Sequence, residues 1–227
     1  MYKRQVYCQV AEGIRPNFVF ARDGDKSEQV YFNGRPGEEI LITERGEPSG
    51  LFVFKQGFAH VIPLGLDHIL FIVTLFLARR HFGFLLKQSL IFTLAHSLTL
   101  GLAAAGLILP SPGWVEPLIA LSIVFLAAEN LWLSKSSPRR FSLIFLFGLL
   151  HGLGFAAVLQ KYLTSEGQFL KHLALANLGV EIAQILVLTS AWLLTMKLNR
   201  STYYRTFTRG GNLTLMIVAS WWFIERI

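Results

Sequence analysis

The 227-residue sequence predicts an all-α polytopic membrane protein: a six-helix transmembrane bundle preceded by a short β-rich extracytoplasmic segment. Three observations carry this expectation. Charged residues make up 15% of the chain, against roughly 25% in an ordinary soluble domain. Hydrophobic residues reach 53%, including nineteen Phe, and the mean hydropathy is +0.49. The apolar residues are also gathered into stretches near the roughly 20 residues that a bilayer crossing requires. The single cysteine, Cys8, excludes a disulfide framework or a thiolate metal site within one chain.

Residues 1–52 are polar and Gly-rich, and residues 53–227 form the expected membrane domain. Three β-like runs lie near the start: Val30-Tyr31-Phe32, Glu39 to Thr43, and Leu51 to Phe54. Turn signals separate them at Asn33-Gly34, Pro36-Gly37 and Glu47-Pro48-Ser49-Gly50. About fifty residues with three short strands make a poor independent core, so this segment reads as the end of a larger β-rich domain. Met1-Tyr2-Lys3-Arg4-Gln5 resembles the translation of a transposase sequencing adaptor, which places the natural N-terminus upstream. A signal peptide is expected there.

The six predicted spans are 56–78, 85–109, 115–134, 141–163, 170–197 and 208–225. The last is the weakest, because Arg209-Gly210-Gly211-Asn212 opens it. Basic residues alternate between connections. Arg79, Arg80 and Lys87 lie in or beside the first, Lys135, Arg139 and Arg140 at the third, and Lys197, Arg200, Arg205 and Arg209 at the fifth. The second has no Lys or Arg, and the fourth has only Lys161 and Lys171. Connections one, three and five are therefore expected in the cytoplasm and both termini outside, in a multi-pass inner-membrane protein. This accounts for most of the +7 net charge without a nucleic-acid partner.

Ionisable side chains at bilayer depth are costly and mark functional positions. Span one carries His60, Asp67 and His68, and span two carries Thr93, His96, Ser97 and Thr99. Span three carries Ser122, Glu129 and Asn130, span four His151, and span five Asn177, Glu181 and Gln184. At a rise of about 1.5 Å per residue, Asp67, His68, His96, His151 and Glu181 all fall near the midplane. His60 lies two turns above Asp67, as an outer-mouth ligand or an interfacial polar residue. Asn177, Glu181 and Gln184 share one helix face, and Thr93 joins them as supporting polar groups. Imidazole nitrogens with carboxylate oxygens suit a borderline divalent ion. The metal set read from the sequence is thus His60, Asp67, His68, His96, His151 and Glu181. Gly148, Gly152 and Gly154 admit a close neighbour beside His151. Pro63 frees the Ala59 carbonyl and is expected to kink span one beside His60. Glu129 with Asn130 reads as a packing node or a lower relay site. Ser97 and Thr99 are expected to bond within their own helix. His81 and His172 carry no assigned role, and Trp221-Trp222 reads as an interfacial aromatic belt.

These residues resemble motifs of the HupE/UreJ membrane proteins. The likeness lies in Gly57-Phe58-Ala59-His60 through Gly65-Leu66-Asp67-His68-Ile69-Leu70-Phe71, and in Phe92-Thr93-Leu94-Ala95-His96-Ser97-Leu98-Thr99. His151-Gly152-Leu153-Gly154-Phe155-Ala156 and Asn177-Leu178-Gly179-Val180-Glu181 continue it, so that it covers about residues 51–226. The resemblance implies a nickel or cobalt permease, with His60, Asp67, His68 and His96 handling metal. The better-studied relatives accompany hydrogenase or urease. The β-rich start is similar to the branch with an extracytoplasmic domain before the first span. One departure is that Val61, not proline, follows the first motif histidine.

Three functions stay open at this level. A divalent-metal transporter would capture its ion at His60 and hold it near the midplane. An intramembrane zinc hydrolase would use the same cluster, with Glu181 or Glu129 as general base. A metal-free scaffold or sensor would use the polar groups for interhelical bonds. Oligomerisation is a further open point: Ala103-Ala104-Ala105-Gly106 fits packing within the bundle or between subunits of a homo-oligomer. ATP-driven pumping by this chain alone is disfavoured, because no Walker motif is present.

Overall fold

The computed structural model describes residues 19–23, 26–30, 49–108, 112–132, 139–163, 168–197 and 203–227. The chain divides into two units, residues 1–47 and 48–227. In the first, β1 (Val19–Asp23) and β2 (Lys26–Val30) pair antiparallel, with Val19 opposite Val30 and Asp23 opposite Lys26. Val30 ends β2, while the rest of the expected strands at 30–32 and 39–43 lies outside the described residues.

The second unit is all-helical among its described residues. The expected strand at Leu51–Phe54 is instead the start of α1 (Gly50–Val61). Ser49 caps this helix, its hydroxyl accepting from the Phe52 N–H at 3.2 Å. Ser49-Gly50 is thus a helix start rather than a strand connection; Glu47 and Pro48 lie outside the described residues. Val53, Gly57 and Val61 are buried at a spacing of four, the period of one helix face.

The first predicted span is broken into α1 and α2 (Leu66–Ala78), which meet at 65°. Pro63 has no N–H to continue the ladder. Ile62 still donates to the Phe58 carbonyl at 2.9 Å, and Leu64 takes the freed Ala59 carbonyl at 3.1 Å. The chain then restarts as helix after Gly65.

Five helices follow: α3 (Phe82–Ala104), α4 (Pro112–Trp132), α5 (Arg139–Leu163), α6 (Phe169–Leu194) and α7 (Tyr204–Glu225). Among the described residues four helices, α3 to α6, are long and apolar enough to cross a membrane, or five spans if α1–α2 is one broken span. The protein is therefore a multi-pass membrane protein, but α7 does not reach the apolarity of the others. Arg205, Arg209 and Asn212 in its first turns are the reason. Its buried stripe of Thr208, Asn212, Leu215 and Ala219 nevertheless gives it one packed face.

The main pairings are α3 with α5, α1 with α6 and α4 with α7, and α2 touches α4, α6 and α7. Lipid tails are as apolar as leucine, so helices associate through close packing and polar contacts rather than through apolar burial. Glycines line close approaches in two of these pairings. A Cβ on Gly57 would lie 1.9 Å from the Ala176 carbonyl oxygen, and one on Gly179 would lie 2.2 Å from that of Phe54. On α5, a Cβ on Gly152 would lie 2.3 Å from the His96 carbonyl oxygen, and one on Gly148 would lie 2.6 Å from that of Phe92. Ala103 is buried in the same core. The opposite face of α3 presents Leu90, Leu94 and Leu98 to the surroundings, and α6 presents Leu178, Ile182 and Leu186. Such stripes suit lipid.

Arg80 ties one end of the bundle together. Its Nε donates to Thr195 Oγ1 at 3.2 Å and an Nη to the Trp192 carbonyl at 2.6 Å, while the guanidinium lies over the Trp192 ring. His81 caps α3, its Nδ1 accepting from the Phe84 N–H. Ser97 bonds the Thr93 carbonyl of its own helix, as expected, but Thr99 also reaches across to the Leu149 carbonyl of α5 at 2.8 Å.

Gly57→Ala is expected to force α1 off α6 and to destabilise the protein by about 1–3 kcal/mol, the usual range for overpacking. Gly113→Ala, where an added Cβ meets nothing within 4 Å, should be near neutral. Thermal unfolding of both variants in detergent checks this contrast.

Candidate metal centre

The break between α1 and α2 bends the first span by 65°. Eight residues of straight helix would set His60 about 12 Å from His68 along the axis. Here the two ring centroids are 4.6 Å apart. Gly65 permits this, because a Cβ there would lie 2.1 Å from the His60 carbonyl oxygen and 3.3 Å from His68 Nδ1. His60 is accordingly not a separate outer-mouth group: it belongs to the same cluster as His68. α3 brings in His96, with ring centroids 6.2 Å from His60 and 5.9 Å from His68. α5 brings in His151, 4.9 Å from His68.

One ligand atom from each of His60, His68 and His96 lies within 4.8 Å of the others. Two ligands on one ion with bonds of about 2.1 Å are at most about 4.2 Å apart, so small ring movements would close the set. Phe155 stacks on His60 at 3.5 Å and 17°, and Phe92 and Phe71 pack on the His151 ring, so the walls are apolar.

Second partners fix two of the rings. His68 Nδ1 donates to Asp67 Oδ1 at 3.2 Å, and the same oxygen accepts from the His68 backbone N–H at 2.9 Å. His151 Nδ1 donates to the Phe147 carbonyl at 2.8 Å. Each contact puts the proton on Nδ1 and leaves a lone pair on Nε2. His60 Nε2, His68 Nε2, His151 Nε2 and both His96 nitrogens are buried with no hydrogen-bond partner. An unsatisfied buried polar atom costs about 1–3 kcal/mol. A neutral imidazole keeps one N–H and one lone pair, so His68 Nε2, His151 Nε2 and one nitrogen of His96 offer unused lone pairs among apolar walls, which a cation would complement.

The remaining predicted residues sit differently. Asp67 is held by His68 and is not in the converging group. Glu181 also lies outside it, accepting from Thr93 and, at 3.2 Å, from Ser89. Gln184 Oε1 accepts from Ser89 at 2.6 Å and Thr93 at 3.3 Å, and Asn177 donates to its own helix at Leu173. The i, i+4, i+7 face of α6 is real: Asn177 lies beside His96, while Glu181 and Gln184 meet Ser89 and Thr93 of α3 rather than the imidazoles. His172 is fully buried in the first turn of α6.

Glu129 is paired with Arg140, so it offers no free base to the imidazole group. Arg140 is the residue that the sequence reading missed, counting it as a loop charge. It is fully buried. Its Nε donates to Gln88 at 2.9 Å and Nη1 to Asn130 at 3.0 Å. Asn130 in turn donates to the Thr74 carbonyl and to Asn212, both at 2.8 Å. This network joins α2, α3, α4, α5 and α7. Its signal was present: Glu129-Asn130 needed a partner, and Arg140 starts a span.

Removing one partner of a buried pair leaves an uncompensated charge, which costs about 3–5 kcal/mol. Arg140→Met should therefore strongly destabilise the bundle, and adding Glu129→Met should recover part of the loss. Denaturation of both variants in detergent measures the difference.

A family model described as HupE / UreJ protein matches residues 38–226. No curated protein and no solved structure matches the chain. The family match runs through every helix described above, from α1 to the end of α7, and includes all four clustered histidines. The chain belongs to the HupE / UreJ family.

Proposed function

We propose that this protein is a permease for a divalent transition-metal ion, nickel or cobalt, and that His60, His68, His96 and His151 hold the ion as substrate part-way across the membrane. The observation that carries the reading is the group of five buried ring nitrogens, on four histidines, without hydrogen-bond partners. Family membership supports metal handling, and imidazole donors with no thiolate suit borderline ions. Asp67 orients His68 and supplies a negative charge beside the ion. It stands in the first turn of α2, where a carboxylate also offsets the positive end of the helix dipole.

The remaining chain fits this role as a six-span inner-membrane protein. α1–α2 is one broken span and α7 the sixth, whose buried Asn212 is engaged by Asn130. The arginine-rich ends at Arg79–Arg80, Arg139 and Arg205–Arg209 then lie in the cytoplasm, with both termini outside. A discontinuous helix at the substrate site supplies irregular backbone where an ion needs it, as in other transporters. The ligand atoms are close without being closed into a cage, which permits release.

The hydrolase reading is weaker on the same geometry. Asp67 is engaged by His68, Glu129 by Arg140, and Glu181 by Thr93 and Ser89. Among the described residues the converging group holds no carboxylate placed to act as general base.

His68→Ala and His96→Ala should each reduce cobalt or nickel uptake by at least about tenfold in cells, with normal protein levels in the membrane. Asp67→Asn keeps the ring but loses the charge, and should weaken metal affinity about 10–100-fold, the usual effect of removing such a second partner. Uptake of radioactive cobalt, with immunodetection of the protein, checks all three. Unchanged uptake in both histidine variants would remove the proposal.

A further inference from the structure

We infer that Phe155 is a positioning residue for the metal: its ring holds His60 in the ligand set, and holds it most strongly once an ion is bound. This deepens the permease reading, on which it rests, with a residue that supplies no donor atom.

His60 differs from the other clustered histidines in how its ring is held. Asp67 fixes His68, the Phe147 carbonyl fixes His151, and Asn177 stands beside His96. Among the described residues no hydrogen bond reaches the His60 ring, and its buried Nε2 has no partner. His60 also lies in the last turn of α1, across the Pro63 break from His68. An imidazole there is free to change rotamer unless a neighbour packs on it.

That neighbour is Phe155. The two ring centroids are 3.5 Å apart with planes 17° from parallel, closer than the 4.6 Å between His60 and His68. Phe155 is only 1% exposed. Its own place is set by the glycines before it on α5. A Cβ on Gly152 would lie 2.2 Å from the Thr99 hydroxyl of α3, and one on Gly154 would lie 2.9 Å from Ile119 of α4. The segment carrying Phe155 is thus held from two sides, while His60 is held by Phe155.

The stack leaves the metal-binding edge of His60 open. A metal binds an imidazole in the ring plane, at the nitrogen lone pair, and Phe155 covers only the face. A centroid distance of 3.5 Å also leaves the rings little sideways offset. Two neutral rings disfavour that face-to-face arrangement, because their negative faces repel. A divalent ion withdraws charge from the imidazole, and the face of a phenyl ring attracts a positively charged group. The arrangement therefore suits a metal-bound His60 better than a free one. Phe155 also approaches His96, but at 6.0 Å and 31°, a looser contact. Its effect on the ion is expected to run through His60.

The test uses the full chain in lipid nanodiscs, titrated with Co²⁺ and followed by ligand-field absorption. Phe155→Leu keeps the apolar wall and removes the ring. It is expected to weaken Co²⁺ binding about three- to tenfold, the scale of one aromatic contact, and to shift the spectrum toward that of His60→Ala. In a His60→Ala background, adding Phe155→Leu should change the affinity by less than about twofold, since the ring then has nothing to hold. Phe155→Ile is a second ringless variant, and thermal unfolding of each protein checks that it is folded. Unchanged affinity and spectrum in both ringless variants overturn the inference. So does an equal loss in the His60→Ala background, because Phe155 would then act on the bundle as a whole. A wild-type chain that binds no Co²⁺ ends this inference and the metal site together. One that binds Co²⁺ without carrying it into cells ends the permease reading alone.

Discussion

The interruption at Ile62–Gly65 is the constraint on which the centre of this molecule depends. A continuous first span would keep His60 and His68 two turns apart. Pro63 ends the ladder, Leu64 recovers the Ala59 carbonyl, and Gly65 lets the second helix restart against the end of the first. Only then do two imidazoles from one span meet those of α3 and α5. The backbone irregularity and the ligand geometry are one feature, since non-helical backbone at membrane depth persists only where protein or a cavity receives it.

Around that interruption the bundle is held by two different means. Near the imidazoles the helices approach through glycines, with Gly57 and Gly179 joining α1 to α6 and Gly148 and Gly152 joining α5 to α3. Toward the Arg80 end they are held by polar bonds centred on Arg140, which lies eleven residues, or about 16 Å, from His151 along α5. Close backbone packing at Gly152 sets α5 against the His96 carbonyl. The arginine network instead ties five helices through directional bonds.

Much of this was legible in the sequence, for physical reasons that apply residue by residue. The apolar lengths mark α3 to α6, because lipid leaves no alternative to internally bonded helix. Pro63 beside His60 announces the break, and the shared depth of His68, His96 and His151 announces their meeting. Other features were not legible. Leu51–Phe54 reads as strand or helix by apolar content alone, and Ser49 decides it only through a cap. Depth says nothing about azimuth, so Glu181 was grouped with imidazoles whose converging set it does not join. Arg140 looked like a loop charge because one residue at a helix end separates an exposed guanidinium from a buried one. The approach of His60 to His68 required an angle that composition does not encode.

The central claim is that buried ring nitrogens from three spans bind one transition-metal ion. X-ray absorption at the cobalt edge, on purified protein loaded with one equivalent of Co²⁺, tests it most directly. The account predicts at least three imidazole nitrogens at about 2.0–2.1 Å, the metal–histidine distance, with the outer-shell scattering characteristic of the ring. A shell of oxygens alone, with no ring scattering, would contradict it.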